Sequence, residues 1–166
     1  MESLAMKTML MIGAVVVGSL APATARAAPV NWSTLLTLSP GGSATMGFVL
    51  NGSTNDASFY LVRAVGPSLA ALGVSGSCTQ VGMTLYDANH QTVGPLITVS
   101  SIAWPQTFAA VGAFPLTAAS GDAYEIFLLT GGTYTAQVTD ESGKGGTALI
   151  EVYSSGPPVI NPEGPT

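Results

Sequence analysis

The longest regular alternation in the chain covers residues 121–155, GDAYEIFLLTGGTYTAQVTDESGKGGTALIEVYSS. Within it Tyr134, Ala136 and Val138 alternate with Thr133, Thr135, Gln137 and Thr139, the two-residue period of a strand with one buried and one wet face. Ala148, Ile150 and Val152 repeat the inward pattern, with Leu149, Glu151 and Tyr153 between them. The stretch predicts three successive antiparallel strands. A turn of Thr130, Gly131 and Gly132, with Gly132 left-handed, sets Leu128 opposite Tyr134, Ile126 opposite Ala136 and Tyr124 opposite Val138. A two-residue turn would slip the register and bring Glu125 onto the apolar face with Val138.

Upstream, VNWSTLLTL at 30–38 and ATMGFVLN at 44–51 read as strands on either side of the turn Ser39-Pro40-Gly41-Gly42. SFYLVRAVG at 58–66 is apolar on both faces and predicts a central strand. Residues 67–73 begin with Pro and end with Gly, which predicts one short helical turn. Strands are then expected at 83–87 and 92–100, separated by the turn Ala88-Asn89-His90-Gln91. Between 101 and 120 the pattern weakens. Trp104-Pro105 breaks the ladder there, and 111–116 has room for a short strand. A count of about seven to nine strands suffices for two packed sheets. The expected fold is all-β, an antiparallel two-sheet β-sandwich with one short helical turn.

Composition narrows the partners. Of 166 residues only 8% are charged while 47% are hydrophobic, against about 25% charged in ordinary soluble domains. The surface must therefore be wetted by hydroxyls, amides and backbone. The net charge of -5, with Arg63 and Lys144 the only cations past residue 27, argues against nucleic acid, which needs clustered Lys and Arg. The first 27 residues have the build of a secretory signal: Lys7, an apolar run from Met9 to Val17, then Ala23, Ala25 and Ala27. Gly13, Gly18, Ser19 and Pro22 interrupt that run, and it falls short of the ~20 apolar residues of a membrane span. Export with cleavage before Ala28 is expected, leaving no membrane span and a secreted or cell-surface protein. The sandwich domain would occupy 28–154, and a Pro/Gly-rich tail at 155–166, without apolar periodicity, reads as disordered or extended.

No catalytic, cofactor or metal site can be assembled from the sequence. His90 is the only histidine, it falls in a hydrophilic turn, and a Ser-His-Asp or Cys-His site needs a nucleophile and an orienting group converging on it. Ser68 in GPSLA lacks the second glycine of a nucleophile elbow. Residues 143–146, GKGG, lack the P-loop's Gly at the place of Val138 and its hydroxyl residue after Lys144, and read as a flexible loop. One His and one Cys exclude a closed zinc site. Asp122, Asp140 and Glu141 lie near strand ends, where calcium ligands gather, but no DxDxDG loop is present. Cys78, in a stretch that reads as an exposed loop, is either inert or a link between two chains. Trp32, Trp104 and Tyr153, with Tyr60 and Tyr86, are candidates for a flat platform under sugar rings or else for core and rim. Asn31-Trp32-Ser33 and Asn51-Gly52-Ser53 fit the N-glycosylation pattern. Arg63 lies inside an apolar strand and must be paired if buried. The candidates are Glu151, the first choice, and Asp87.

Residues 61–74, LVRAVGPSLAALGV, together with 111–116, VGAFPL, and 133–153, TYTAQVTDESGKGGTALIEVY, resemble a β-sandwich module of exported bacterial proteins that carries RAxGPSL, LxLxD, PGxYTAxV and LVEVY segments. MTLYDANHQTVG at 83–94 is similar to the LxLxDxxG hairpin of bacterial pre-peptidase C-terminal domains, which are non-catalytic appendages. His90 stands where that pattern has Gly, and Thr130-Gly131-Gly132 replaces the usual Pro-Gly turn. The resemblance implies the sandwich fold and no transferable activity. The reading is a secreted non-enzymatic module for extracellular binding or adhesion, with a glycan or surface protein as partner. The competing mechanism is a structural subunit that self-associates by β-strand addition into a filament or matrix, through residues 28–38 or an unguarded sheet edge.

Overall fold

The computed structural model describes residues 31–95, 103–117 and 119–157. The proposed signal at 1–27 and residues 158–166 of the tail lie outside the described residues. Seven strands are present among those described: β1 Asn31–Leu38, β2 Ser43–Leu50, β3 Ser58–Val65, β4 Val81–Tyr86, β5 Ala123–Leu129, β6 Gly132–Asp140 and β7 Gly146–Ser155. They form a four-stranded sheet in the order β1-β7-β3-β5 and a three-stranded sheet in the order β2-β6-β4, with every pair antiparallel. The expected all-β two-sheet sandwich is thus the fold of the chain, and β3 lies between β7 and β5, in the interior of its sheet.

The wiring differs from the expected hairpin. Odd-numbered strands make one sheet and even-numbered strands the other, so each connection crosses between layers. β5 pairs with β3, and β6 pairs with β2 and β4. Leu128, Ile126 and Tyr124 therefore do not face Tyr134, Ala136 and Val138. The connection at Thr130 and Gly131 is tied to the β2–β3 loop by Gly131 N–H donating to Ser53 O at 3.2 Å, and Gly132 is the first residue of β6 rather than a left-handed turn residue. The face of β5 turned to the other sheet carries Ala123, Phe127 and Leu129, and by the two-residue period Glu125 stands among them. Alternation was a sound guide to the strand, but the second face of β5 is also covered, so both parities are apolar.

That second cover is the segment between β4 and β5. Its helix α1, Trp104–Ala110, replaces the ladder break read at Trp104-Pro105. Pro105 sits in the first helical turn, where a missing N–H costs nothing, and Thr107 Oγ1 donates to Ala103 O at 3.1 Å. The helix and the extended residues after it, 113–117, bring Phe108, Ala113, Trp104, Val111 and Leu116 onto Leu61, Ile126, Tyr124 and Tyr153. No strand forms at 111–116. Of the strand expected at 92–100, Thr92 makes one bridge to Tyr86, while 96–100 lie outside the described residues. The main core lies between the sheets and includes Leu38, Phe48, Val62, Leu85, Phe127, Ala136, Val138, Ile150 and Val152. No helix among the described residues is long and apolar enough to cross a membrane.

Candidate functional site

Arg63 and Glu151 are directly opposite each other on β3 and β7, on the face covered by α1. The structure brings them together: Arg63 Nε donates to Glu151 Oε2 at 2.9 Å and Nη2 stands 2.7 Å from the same oxygen. The Nη2 contact is off the N–H axis, since Nη2 has no aligned acceptor, and counts as an ion contact. Arg63 is fully buried and Glu151 is 5% exposed. Arg63 Nη1 donates to Phe114 O at 2.7 Å, and Tyr153 Oη donates to Glu151 Oε1 at 2.7 Å. The rings of Phe108 and Phe114 lie 4.8 and 4.4 Å from the guanidinium carbon, close enough for cation–π attraction. Burial, and then Glu151, pushes the Tyr153 phenol far above its ordinary range. Asp87, the other candidate partner, instead accepts Asn89 N–H and Gln91 N–H in the turn after β4.

The rest of the RAVGPSL stretch is architectural in the same way. A Cβ on Gly66 would stand 2.9 Å from Val81 Cγ1 and 3.0 Å from Cys78, so only glycine fits that crossing. Asp122 closes the 3-10 turn Pro67–Leu72 by accepting Gly66 N–H at 2.8 Å, Ser120 Oγ–H at 2.6 Å and the Ser68 hydroxyl. Ser68 Oγ also accepts Thr117 N–H at 3.0 Å. The serine is buried and committed to this staple, while His90 is exposed in its turn with φ 57°. The structure does not bring the two together. Cys78 corrects the reading of an exposed loop. It is fully buried, its N–H donates to Thr147 O at 2.9 Å, and burial followed by the Asp140 charge raises the thiol pKa. A link between chains through this residue has no access.

The carboxylates near the strand ends are separately employed. Asp140 accepts Ser142 Oγ–H at 2.6 Å, Gly41 N–H at 2.9 Å, Gly145 N–H at 2.7 Å and Ser142 N–H at 3.1 Å. These donors, Ser142 foremost, hold its carboxyl well below the usual range. Gly41 has φ 64°, the left-handed residue that a Pro-Gly type II turn requires. Among the described residues no three of His, Cys, Asp and Glu come together as a metal set.

The aromatic platform is also corrected. Tyr153 is 5% exposed beneath α1, Trp104 stacks edge-on with Tyr124 at 4.7 Å on that same side, and Trp32 packs on Phe48 at 5.6 Å in the core between the sheets. The three rings share no face. What the fold does present is the outer side of the three-stranded sheet. Register aligns Ser43, Thr139 and Gly82 in one row across β2, β6 and β4, then Thr45, Gln137 and Thr84, then Gly47, Thr135 and Tyr86. Gly47 and Gly82 add no side chain to these rows, and the Glu141 carboxylate fills the space over Gly82 at one end of the face. Tyr86 ends the last row with His90 at 6.3 Å. No family model and no curated protein matches the chain.

The functional reading therefore rests on this geometry. The alternation of β6 marks its threonines as a wet face, but the rows of β2 and β4 beside them are set by long-range pairing that no local pattern encodes. A second feature is one flank of the sandwich, where β1 and β2 lie one above the other. Trp32, Thr34, Met46 and Phe48 line an open crevice of about 380 Å³ between them. Leu35 and Val49 are 59% and 54% exposed beside it.

Proposed function

We propose that this chain is an exported, non-catalytic β-sandwich that adheres to neutral, hydroxyl-rich polysaccharide outside the cell through the outer face of β2, β6 and β4. The observation that carries the reading is the array of hydroxyl and amide groups in register across three strands, with the Glu141 carboxylate over Gly82 at its margin. Hydroxyls and amides both donate and accept, which suits sugar hydroxyls, and a face whose marginal charge is the Glu141 carboxylate gains nothing from an anionic ligand. Strand spacing of about 4.8 Å and a same-face repeat of about 6.8 Å make the array flat and regular, fitted to an extended chain lying across it. Tyr86 supplies an aromatic edge for a sugar ring. The resemblance of residues 58–154 to an exported module agrees with this role, and so does the saturation of Ser68 and Asp122 by structural hydrogen bonds.

The test is pull-down of the mature chain on insoluble neutral glucans and chitin beside an anionic polysaccharide. Retention on a neutral matrix is expected. Gln137→Lys at the centre of the face should weaken it about ten-fold, the loss of about 1.4 kcal/mol, with unchanged melting. Equal retention of Gln137→Lys, or no retention of the wild type on any neutral matrix, removes the proposal.

A further inference from the structure

The sandwich has four edge strands, β1 and β5 in one sheet and β2 and β4 in the other. Unprotected edges invite pairing with another chain, and natural sheets block them with charges, prolines, bulges or cover. On one flank the blocks are present. The chain after β4 turns back on it, with Asp87 N–H donating to Gln91 O and Val93 N–H to Leu85 O at 2.8 Å. β5 carries Glu125 towards the space between the sheets, with one carboxyl oxygen buried and unpartnered. Extending the sheet past β5 would bury that group further.

Among the described residues the opposite flank has none of these devices. β1 and β2 are eight residues each, without a charged residue or a proline. Both pair in unbroken register with their inner neighbours, so neither is bulged. Two exposed apolar side chains, Leu35 and Val49, stand on them. We infer that this flank pairs with a second copy of the same chain, β1 against β1 in antiparallel sense about a two-fold axis normal to the sheets, giving a closed dimer with a continuous eight-stranded sheet.

Self-pairing is favoured for three reasons. A two-fold axis sets like residues against each other, and an uncharged strand pays no repulsion for that. Opposed residues of antiparallel strands share a face, so permitted registers centre on one residue. Centring on Leu35 buries the most exposed apolar side chain of the strand against its mate and sets Trp32 opposite Leu38 on the inner side. Finally, strands of about 26 Å in two layers ~10 Å apart present roughly 500 Å² per copy, hence roughly the 1,000 Å² in total at which specific association sets in. With the other flank blocked, assembly ends at two copies. A filament would need two different free edges. Should the polysaccharide reading hold as well, the dimer carries two adhesive faces.

The experiment uses the mature chain with Leu35→Cys, under mild oxidation, beside Leu128→Cys on the far edge. Opposed residues in an antiparallel pair stand about 4.5 to 5.5 Å apart at Cα, within disulfide reach, and buried Cys78 does not compete. The expected result is a covalent species of twice the monomer mass for Leu35→Cys alone, with the wild type sedimenting as a dimer. Thr37→Pro, whose N–H points away from β7, should sediment as a monomer with native circular dichroism. Monomeric wild type at high micromolar concentration, cross-linking at both positions, or filaments by electron microscopy overturns the dimer. A monomer that still adheres to polysaccharide removes the dimer and leaves the functional proposal standing. A cross-linked dimer that adheres to none upholds the dimer and removes the functional proposal.

Discussion

Replacing Glu151 by Gln tests the buried ion pair at its most sensitive atom. Guanidinium and carboxylate centres about 4 Å apart attract by about 4 kcal/mol at an effective dielectric near 20. The amide of Gln keeps an acceptor for Arg63 Nε, and a hydrogen bond of that kind retains about 1 kcal/mol. The guanidinium also keeps Phe114 O and the two phenylalanine faces. The net loss is then about 3 kcal/mol, the low end of the range for orphaning a buried charge. With about 3–5 °C per kcal/mol for a domain of this size, Tm should fall by about 10–15 °C in a thermal melt followed by circular dichroism. Arg63→Met combined with Glu151→Leu should recover more than half of that loss. Both charges leave together, and only the Tyr153 hydroxyl and the Phe114 carbonyl lose a partner. A single-variant Tm within about 2 °C of wild type would refute the reasoning, because a fully buried cation would then be stable without its counter-charge.

Two carboxylates should titrate with opposite sign. Burial raises the Glu125 pKa, so the folded state holds its proton to higher pH than the unfolded chain, and stability falls as pH rises from about 4 through the folded value. Glu125→Gln should therefore raise Tm at pH 7, by about 3 °C, and change it little at pH 4. Asp140 is depressed by its four donors, so its contribution is present above the unfolded value near pH 4 and fades as pH falls below it. Asp140→Asn should melt lower than wild type at pH 7, with the gap narrowing at pH 2; an equal gap at both pH values would show that its charge is not what the loop uses.

Strand positions were legible because β2 and β6 keep a two-residue period and β3 is a short apolar run bounded by turn residues. β2, β3 and β6 fall within a residue or so of the stretches read from sequence. The pairing of those strands was not legible. A short Gly-containing connection flanked by alternating stretches has the same local pattern whether it closes a hairpin or crosses between layers, and here the connection at Thr130 and Gly131 crosses. Arg63 was readable as a paired residue because a guanidinium in an apolar strand admits little else, and the spacing of β3 and β7 then places Glu151 opposite. The aromatic rings misled for a physical reason. Tyr153 falls on an apolar stretch whose cover, α1, starts at Trp104 itself, in a Trp-Pro pair that in a strand would be an interruption.

Because successive strands always lie in different layers, no strand finds a ladder partner next door in sequence. The first described strand, β1, hydrogen-bonds solely to the last, β7, as Asn31 faces Tyr153. On a ribosome, the four-stranded sheet cannot zip up from its front end. β3 can pair with β5 once residues 123–129 emerge, but β1 must wait for residues 146–155, and long-range closure of this kind is slow. Such wiring leaves β1 an open edge until β7 has emerged.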